Sequence, residues 1–141
     1  MAQRTLLLSI HPEHAQNIFD GIKKVELRRV RPRLSKGDQV LVYVSSPTKA
    51  LVGTFEVEYL IEDKPYKLWN KVKEYAAIPN KVFNEYYTNA ETGYGIVINR
   101  VYKLKETVSL EKLRRRLPNF HPPQGYRYLN DSEIQCITKS S

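Results

Sequence analysis

Apolar and polar positions along this chain alternate with a period of two in several stretches and at helical spacing in others. Thr5–Ile10 is a short apolar run with β-compatible ends and reads as a central strand. Residues 11–20 follow as a short helix: Pro12 suits a first helical position, and Ala15, Ile18 and Phe19 make one apolar face. Gly21 is placed as its stop, because glycine enters the left-handed region without strain. In the strand that follows, Val25 and Leu27 point one way and Glu26 and Arg28 the other, with Lys23 at its entrance. Ser35-Lys36-Gly37-Asp38 is turn chemistry. Gln39–Ser45 then alternates, with Val40, Val42 and Val44 on one face. Ala50–Ile61 is the longest strand pattern, and Gly53 within it predicts a bulge or bend.

Residues 64–90 change period. Leu68, Val72 and Tyr75 recur at helical spacing, and Pro79 opens a second helix containing Val82, Phe83 and Tyr86. Gly93–Leu104 returns to strand. Thr107–Leu117 reads as an amphipathic helix capped by Ser109, with Leu110, Leu113 and Leu117 inward. Residues 118–130 are proline-rich and aromatic, an extended segment, and Ile134 and Ile137 end a last short element. Strands interrupted by a few helices point to a small mixed or antiparallel β-barrel with helices at its rim.

Gly21, Lys23, Glu26 and Arg28, behind a helix that begins near Pro12, make the pattern Gly-x-Lys-x-x-Glu-x-Arg. It resembles the ASCH domain family, a branch of the PUA-like superfamily. Lys36-Gly37-Asp38 running into Gln39-Val40-Leu41-Val42-Tyr43 is similar to the family's turn into its second barrel strand. The resemblance follows the order of elements over most of residues 4–108, and Pro122–Leu129 resembles an extension of some small members. It implies an α+β fold, a small PUA-like β-barrel of about five or six strands with short helices at the rim and in an insert. A single domain over residues 1–141, extended from about residue 109, is the economical organisation.

Composition narrows the function classes. The 141 residues are 41% hydrophobic and 27% charged, as in an ordinary globular domain. No apolar run approaches the roughly 20 residues that span a bilayer, and Thr5–Ile10 is too short and wrongly flanked for a signal peptide. The lone Cys136 forbids an internal disulfide and a cysteine metal cluster, which points to a reducing cytoplasm. The net charge of +8 favours polyanionic partners. Residues 23–36 hold seven bases against Glu26, and residues 100–116 another seven against Glu106 and Glu111. Solvated surface charge is the plain alternative.

Charged side chains do not face a core unpaired, so Glu26 and Arg28 face water or a polar cleft. In a cleft, Lys23 and Arg28 can hold a phosphate or a base carbonyl, and Glu26 can accept from a base amino group. Some relatives implied by the resemblance are amidohydrolases acting on acetylated cytidine. They share the lysine matched by Lys23, but carry a threonine nucleophile where this chain has Glu26, and use a carboxylate in the helical insert, for which Glu74 is the nearest candidate. A carboxylate is a poor nucleophile toward an amide, and Glu26 would hold Lys23 as an ammonium. Lys23, Glu26 and Glu74 are therefore candidates for catalysis with none assigned.

His11, His14 and His121 lack metal spacing; His11 reads as the helix start and His14 as solvent-facing. Glu26, His121 and Arg28 could be imagined as base, acid and cation of a metal-free nuclease, but nothing in the sequence brings His121 near the others. Walker and dinucleotide motifs are absent, and no cofactor is implied. Ten tyrosines and Trp69 supply aromatic surface. Tyr126-Arg127 combines a stacking ring with a base, and Tyr43 and Ser45 sit where the second strand would open to the cleft. For most tyrosines, and for Trp69, packing is the simpler reading. The expected ligand set is Gly21, Lys23, Glu26, Arg28, Tyr43, Ser45, Tyr126 and Arg127, with Arg29, Arg31, Arg33, Arg114, Arg115 and Arg116 as electrostatic attraction. The expected function is a nucleic-acid-binding module for RNA, or for single-stranded DNA or a nucleotide. The alternatives are a small amidohydrolase or ribonuclease, and a regulatory module for a metabolite or protein.

Overall fold

In this computed structural model, which describes residues 3–138, six strands and five helices follow one another. They are β1 (Thr5–Ile10), α1 (Pro12–Phe19), β2 (Val25–Arg28), β3 (Gln39–Val44), β4 (Ala50–Asp63), α2 (Pro65–Val72), α3 (Asn80–Tyr86), β5 (Gly93–Ser109), α4 (Leu110–Arg116), β6 (Tyr126–Leu129) and α5 (Asp131–Thr138). All strands join one sheet in the order β2-β5-β4-β3-β1-β6. β1 runs parallel to β3, and every other pairing is antiparallel.

The six strands make the small α+β barrel expected, as a curled half-barrel: the described residues form no ladder between the end strands β2 and β6. Curl comes from the long pair β4 and β5, whose register slips at three places, one of them at Gly53. A Cβ on Gly53 would stand 2.4 Å from the Tyr102 carbonyl and 2.5 Å from the Phe19 ring, so glycine is needed for α1 to seat.

The apolar runs of β1 and β3 are explained by burial on both sheet faces. On the concave side Leu6, Leu8, Val40, Val42, Phe55 and Ile96 pack with Ala15 and Ile18 of α1. On the other side Leu7, Leu41, Tyr43 and Leu51 pack against Leu113 of α4, Phe120 and Ile137 of α5. A third cluster joins Val25 and Leu27 of β2 to Leu68 and Val72 of α2 and Phe83 and Tyr87 of α3. Helices α2 and α3 thus form the expected insert and cover the edge strand β2.

Three boundaries differ from the sequence pattern. Tyr75 lies beyond α2 and is exposed. Pro79 precedes α3 as its cap instead of opening it. Thr107 and Val108 belong to β5 and not to a helix, because β5 pairs with β4 as far as Ser109 opposite Ala50. Ser109 still caps α4, accepting from the Lys112 N–H at 3.2 Å. Within the proline-rich tail, residues 126–129 form the edge strand β6, and Asn130 with Glu133 makes a reciprocal capping box for α5.

Candidate functional site

The chain after α1 is pinned before it reaches β2. Gly21 takes φ 78°, and the N–H groups of Ile22 and Lys23 both donate to the Asn17 carbonyl at 2.9 Å. The Lys24 N–H donates to the Tyr75 carbonyl of the insert at 2.7 Å. Gly21 is therefore a turn residue on the surface, not part of the cleft wall. The Lys23 side chain turns inward and is 3% exposed, with Nζ donating to the Ala76 carbonyl and standing 4.0 Å from Glu26 Oε1.

Strand alternation then sends Val25 and Leu27 to the insert and Glu26 and Arg28 to the inside of the curl. Arg28 Nη2 donates to Glu26 Oε2 at 2.7 Å and to the Ser9 carbonyl of β1 at 3.2 Å. One guanidinium thereby links β2 to β1, strands that do not pair. Its Nε is buried without a partner, and so is Nδ1 of His14 on α1. Lys23, Glu26, Arg28, His11 and His14 all border one cleft of about 240 Å³, closed on its other sides by Ile78, Val82 and Tyr86 of the insert and by Gln124 of the tail.

Burial pushes the Lys23 ammonium below its ordinary pKa of 10.5, outweighing the opposing pull of Glu26, with Arg28 lowering it further. Glu26 still favours the ammonium, as expected, but burial opposes it, because the side chain is nearly dry and the carboxylate gives its closer contact to Arg28. His14 is also lowered, first by burial and then by Lys23. It is half-buried and borders the cleft, not solvent-facing as the sequence pattern implied. Its place was legible in principle: His14 lies four residues before the core residue Ile18, on the same helix face.

A second compartment continues from the first along Ser9, Ile10, His11 and Gln124 and holds about 330 Å³. Tyr43, Ser45 and Lys49 border it. Tyr43 is only 2% exposed and belongs to the core beneath α4, so it supports this compartment from below and stands away from Glu26 and Arg28. Ser45 Oγ lies 3.4 Å from His11 Nδ1. Lys49, which the sequence reading passed over, sits in the left-handed region at φ 48° in the turn after β3. The tail walls both compartments: Ser9 Oγ donates to the Pro123 carbonyl at 2.6 Å and Ser9 N–H to the Gly125 carbonyl at 3.0 Å.

The remaining candidates lie elsewhere. Glu74 is exposed in the turn after α2 and does not border the cleft, where the Ala76 carbonyl stands instead. His121 is exposed and outside it as well. Tyr126 and Arg127 point to opposite sheet faces: Tyr126 packs on the concave core with its ring 5.8 Å from Tyr128, while Arg127 pairs with Glu133 and lies over Phe120. They cannot hold one base together. Trp69 packs on Phe83, as expected for a core residue.

Several of the bases are tied down. Arg29 Nη1 donates to the Tyr86 and Thr88 carbonyls, Arg114 Nε to Phe120, and Arg116 Nη1 to Ile137. Arg115 pairs with Glu111 and Arg31 with Glu62 on the surface. Arg33 borders a hollow beside Arg4 and Arg31. Among the described residues no group of three or more histidine, cysteine, aspartate or glutamate side chains is placed to hold a metal ion, and no helix is long and apolar enough to cross a membrane.

Comparison with known proteins fits this architecture. The sequence profile of the ASCH domain matches residues 8–108. An ASCH domain-containing ribonuclease from Zymomonas mobilis is 25% identical over 135 residues, covering 96% of this chain and 90% of the relative. Large ribosomal subunit protein uL22 of Ureaplasma parvum is 29% identical over 125 residues, but the match spans only 39% of that protein's length. The crystal structure of ASCH from Zymomonas mobilis superposes with a TM-score of 0.88 at 24% identity, covering 94% of this chain and 92% of the other. With its profile matched from β1 through nearly all of β5 and its fold shared to the tail, this chain belongs to the ASCH domain family.

Proposed function

We propose that this protein binds RNA as a single strand in the cleft on β2. Lys23 and Arg28 hold phosphate or base carbonyl oxygens, and Glu26 fixes the Arg28 guanidinium and reads a base amino group. The observation that carries the reading is that Lys23, Glu26 and Arg28 of the motif strand border one cleft. Tyr86, on the opposite wall, offers a ring on which a splayed base can stack. A cleft of about 240 Å³ suits one nucleotide unit, since pockets for larger ligands run to roughly 300–1,000 Å³. The family relative that bears the name ribonuclease supports RNA as the partner. A reducing cytoplasm suits the single, half-buried Cys136.

The test is fluorescence anisotropy with labelled single-stranded RNA, duplex RNA and single-stranded DNA at two salt concentrations. Single-stranded RNA binds most tightly and loses affinity steeply with salt; the Lys23→Ala/Arg28→Ala double variant loses binding while keeping its melting transition. Unchanged affinity in that variant sinks the site. Salt-insensitive binding transfers the reading to a metabolite or protein ligand.

Turnover at the same cleft is a second reading, favoured by that relative's name. Amide hydrolysis of the threonine type is disfavoured within it, because Glu26 stands where the resemblance puts the threonine and is engaged by Arg28 at 2.7 Å.

A further inference from the structure

We infer that Arg4, Arg31 and Arg33 form a second anion site outside the cleft, which holds phosphodiester groups further along the strand, given the reading that the cleft takes single-stranded RNA. The three arginines converge on one hollow of about 450 Å³, and Arg4 and Arg33 also border an adjoining one of about 250 Å³ with Tyr128. Charges that serve only solubility need no common hollow. A planar guanidinium carries five donors and can meet a phosphate with two of them at once. Of the three, only Arg31 has a carboxylate partner among the described residues, Glu62 at 3.3 Å, and both side chains of that pair are more than half exposed. Such a pair contributes little in water and yields readily to a phosphate.

The hollow is preformed. It is lined by the loop between β2 and β3, and Leu34 anchors the middle of that loop in the concave core. Asp38 is buried, its Oδ1 accepting from the Arg4 N–H and its Oδ2 from the Ser35 N–H, both at 2.9 Å. This carboxylate also borders the hollow, yet both of its oxygens are thereby engaged. The Arg33 N–H donates to the Tyr128 hydroxyl at 2.6 Å, and the Arg33 carbonyl accepts from Arg4 Nη1 at 3.3 Å. Arg4 and Arg33 are therefore set against each other before a ligand arrives, so less freedom is lost on binding.

The hollow is also continuous with the cleft. Arg28 ends β2 at the cleft wall and Arg31 follows three residues later, so their Cα atoms are at most about 11 Å apart. The edge strand β6 runs beside this loop. Gln124 walls the cleft, Tyr126 and Tyr128 follow on one strand face with rings 5.8 Å apart, and Tyr128 borders the second hollow. The Tyr126 hydroxyl donates to the Arg31 carbonyl at 3.5 Å and ties strand to loop. Tyr128 is 38% exposed, which leaves ring surface for a base beside the phosphates that the arginines hold.

The test compares a labelled dinucleotide, confined to the cleft, with single-stranded RNA of about eight nucleotides, within the usual span of single-strand sites. Fluorescence anisotropy across a salt series follows the wild type, Arg4→Gln/Arg33→Gln and Lys103→Gln/Lys105→Gln. The lysine pair removes the same charge from exposed residues of β5 that border neither hollow nor cleft. The arginine variant binds the longer RNA about 10-fold or more weakly, the scale of a lost hydrogen bond to a charged group. Its slope of log affinity against log salt flattens by about 1.4, two contacts at roughly 0.7 each. Dinucleotide affinity is unchanged in it, and the lysine variant keeps the wild-type slope. Arg4→Lys/Arg33→Lys restores the charge but only part of the affinity, because an ammonium lacks the guanidinium fork. Equal losses in the arginine and lysine variants, an equal loss for the dinucleotide, or wild-type affinity and slope in the folded arginine variant overturn the inference and leave the cleft reading intact. No RNA binding by the wild type overturns both.

Discussion

At the scale of single residues, Lys23 is a nearly dry amine and Arg28 a part-buried guanidinium, and the carboxylate between them leans to the arginine. The lowered pKa of Lys23 has a measurable sign. Between its native pKa and 10.5 the unfolded chain binds more protons than the folded one, so stability rises with pH across that window; the penalty is full below it. Tyr86 and Tyr87 are shifted upward by burial, so above pH 10 their unfolded forms ionise first and stability falls. Urea midpoints of wild type and Lys23→Met at pH 7 and pH 9.5 isolate the lysine: the comparison shifts in the wild type's favour at the higher pH. A flat difference would show that burial does not govern this amine. The charged strand face was readable from the alternation Val25-Glu26-Leu27-Arg28, because two charges on one face must find water or each other. Which way Lys23 turned was not, since that depends on the Tyr75 and Ala76 carbonyls of the insert, some fifty residues further along. His14 was misplaced for a related reason: its face of α1 is half core and half cleft, and only the packed helix divides the two.

At the scale of elements, the strands were the most legible part because β1 and β3 are buried on both faces and their sequences are correspondingly apolar. The helix after β5 was less so. Leu110, Leu113 and Leu117 have helical spacing, but Val108 just before them is held by the β4–β5 ladder, and long-range pairing prevailed over the local pattern. Two substitutions probe these joints by thermal melting. Ser109→Ala removes the acceptor for the Lys112 N–H and lowers stability by about 1 kcal/mol. Gly53→Ala drives a methyl into the Tyr102 carbonyl and the Phe19 ring and lowers it by about 3 kcal/mol, because neither neighbour is a flexible chain end. A melting point unmoved by Gly53→Ala would mean that α1 does not seat against β4 as described. The paired stacking and charge of Tyr126-Arg127 could not be judged from adjacency: once β6 is a strand, neighbours in sequence face opposite ways.

At the scale of the whole molecule, the charge of +8 is real but much of it is fastened down. Arg29, Arg114 and Arg116 spend their donors on backbone carbonyls, and Arg127 on Glu133. These bases still contribute to the distant field, and Lys23 and Arg28, though also bonded to the Ala76 carbonyl and to Glu26 and the Ser9 carbonyl, are the ones that border the proposed cleft. For a single strand held at two phosphates, log affinity falls with log salt at a slope of about −1.4, taking roughly 0.7 for each contact. Titration between 50 and 200 mM salt measures it, and a slope near zero removes the phosphate contacts. The family profile ends at residue 108, yet Gln124 walls both compartments and Pro123 and Gly125 are bonded to Ser9. The rim of the proposed cleft is thus partly drawn from outside the stretch that defines the family. Ligand choice can then diverge by exchange of residues 118–130 alone, leaving the charged strand unaltered, and relatives with the same motif need not share a substrate.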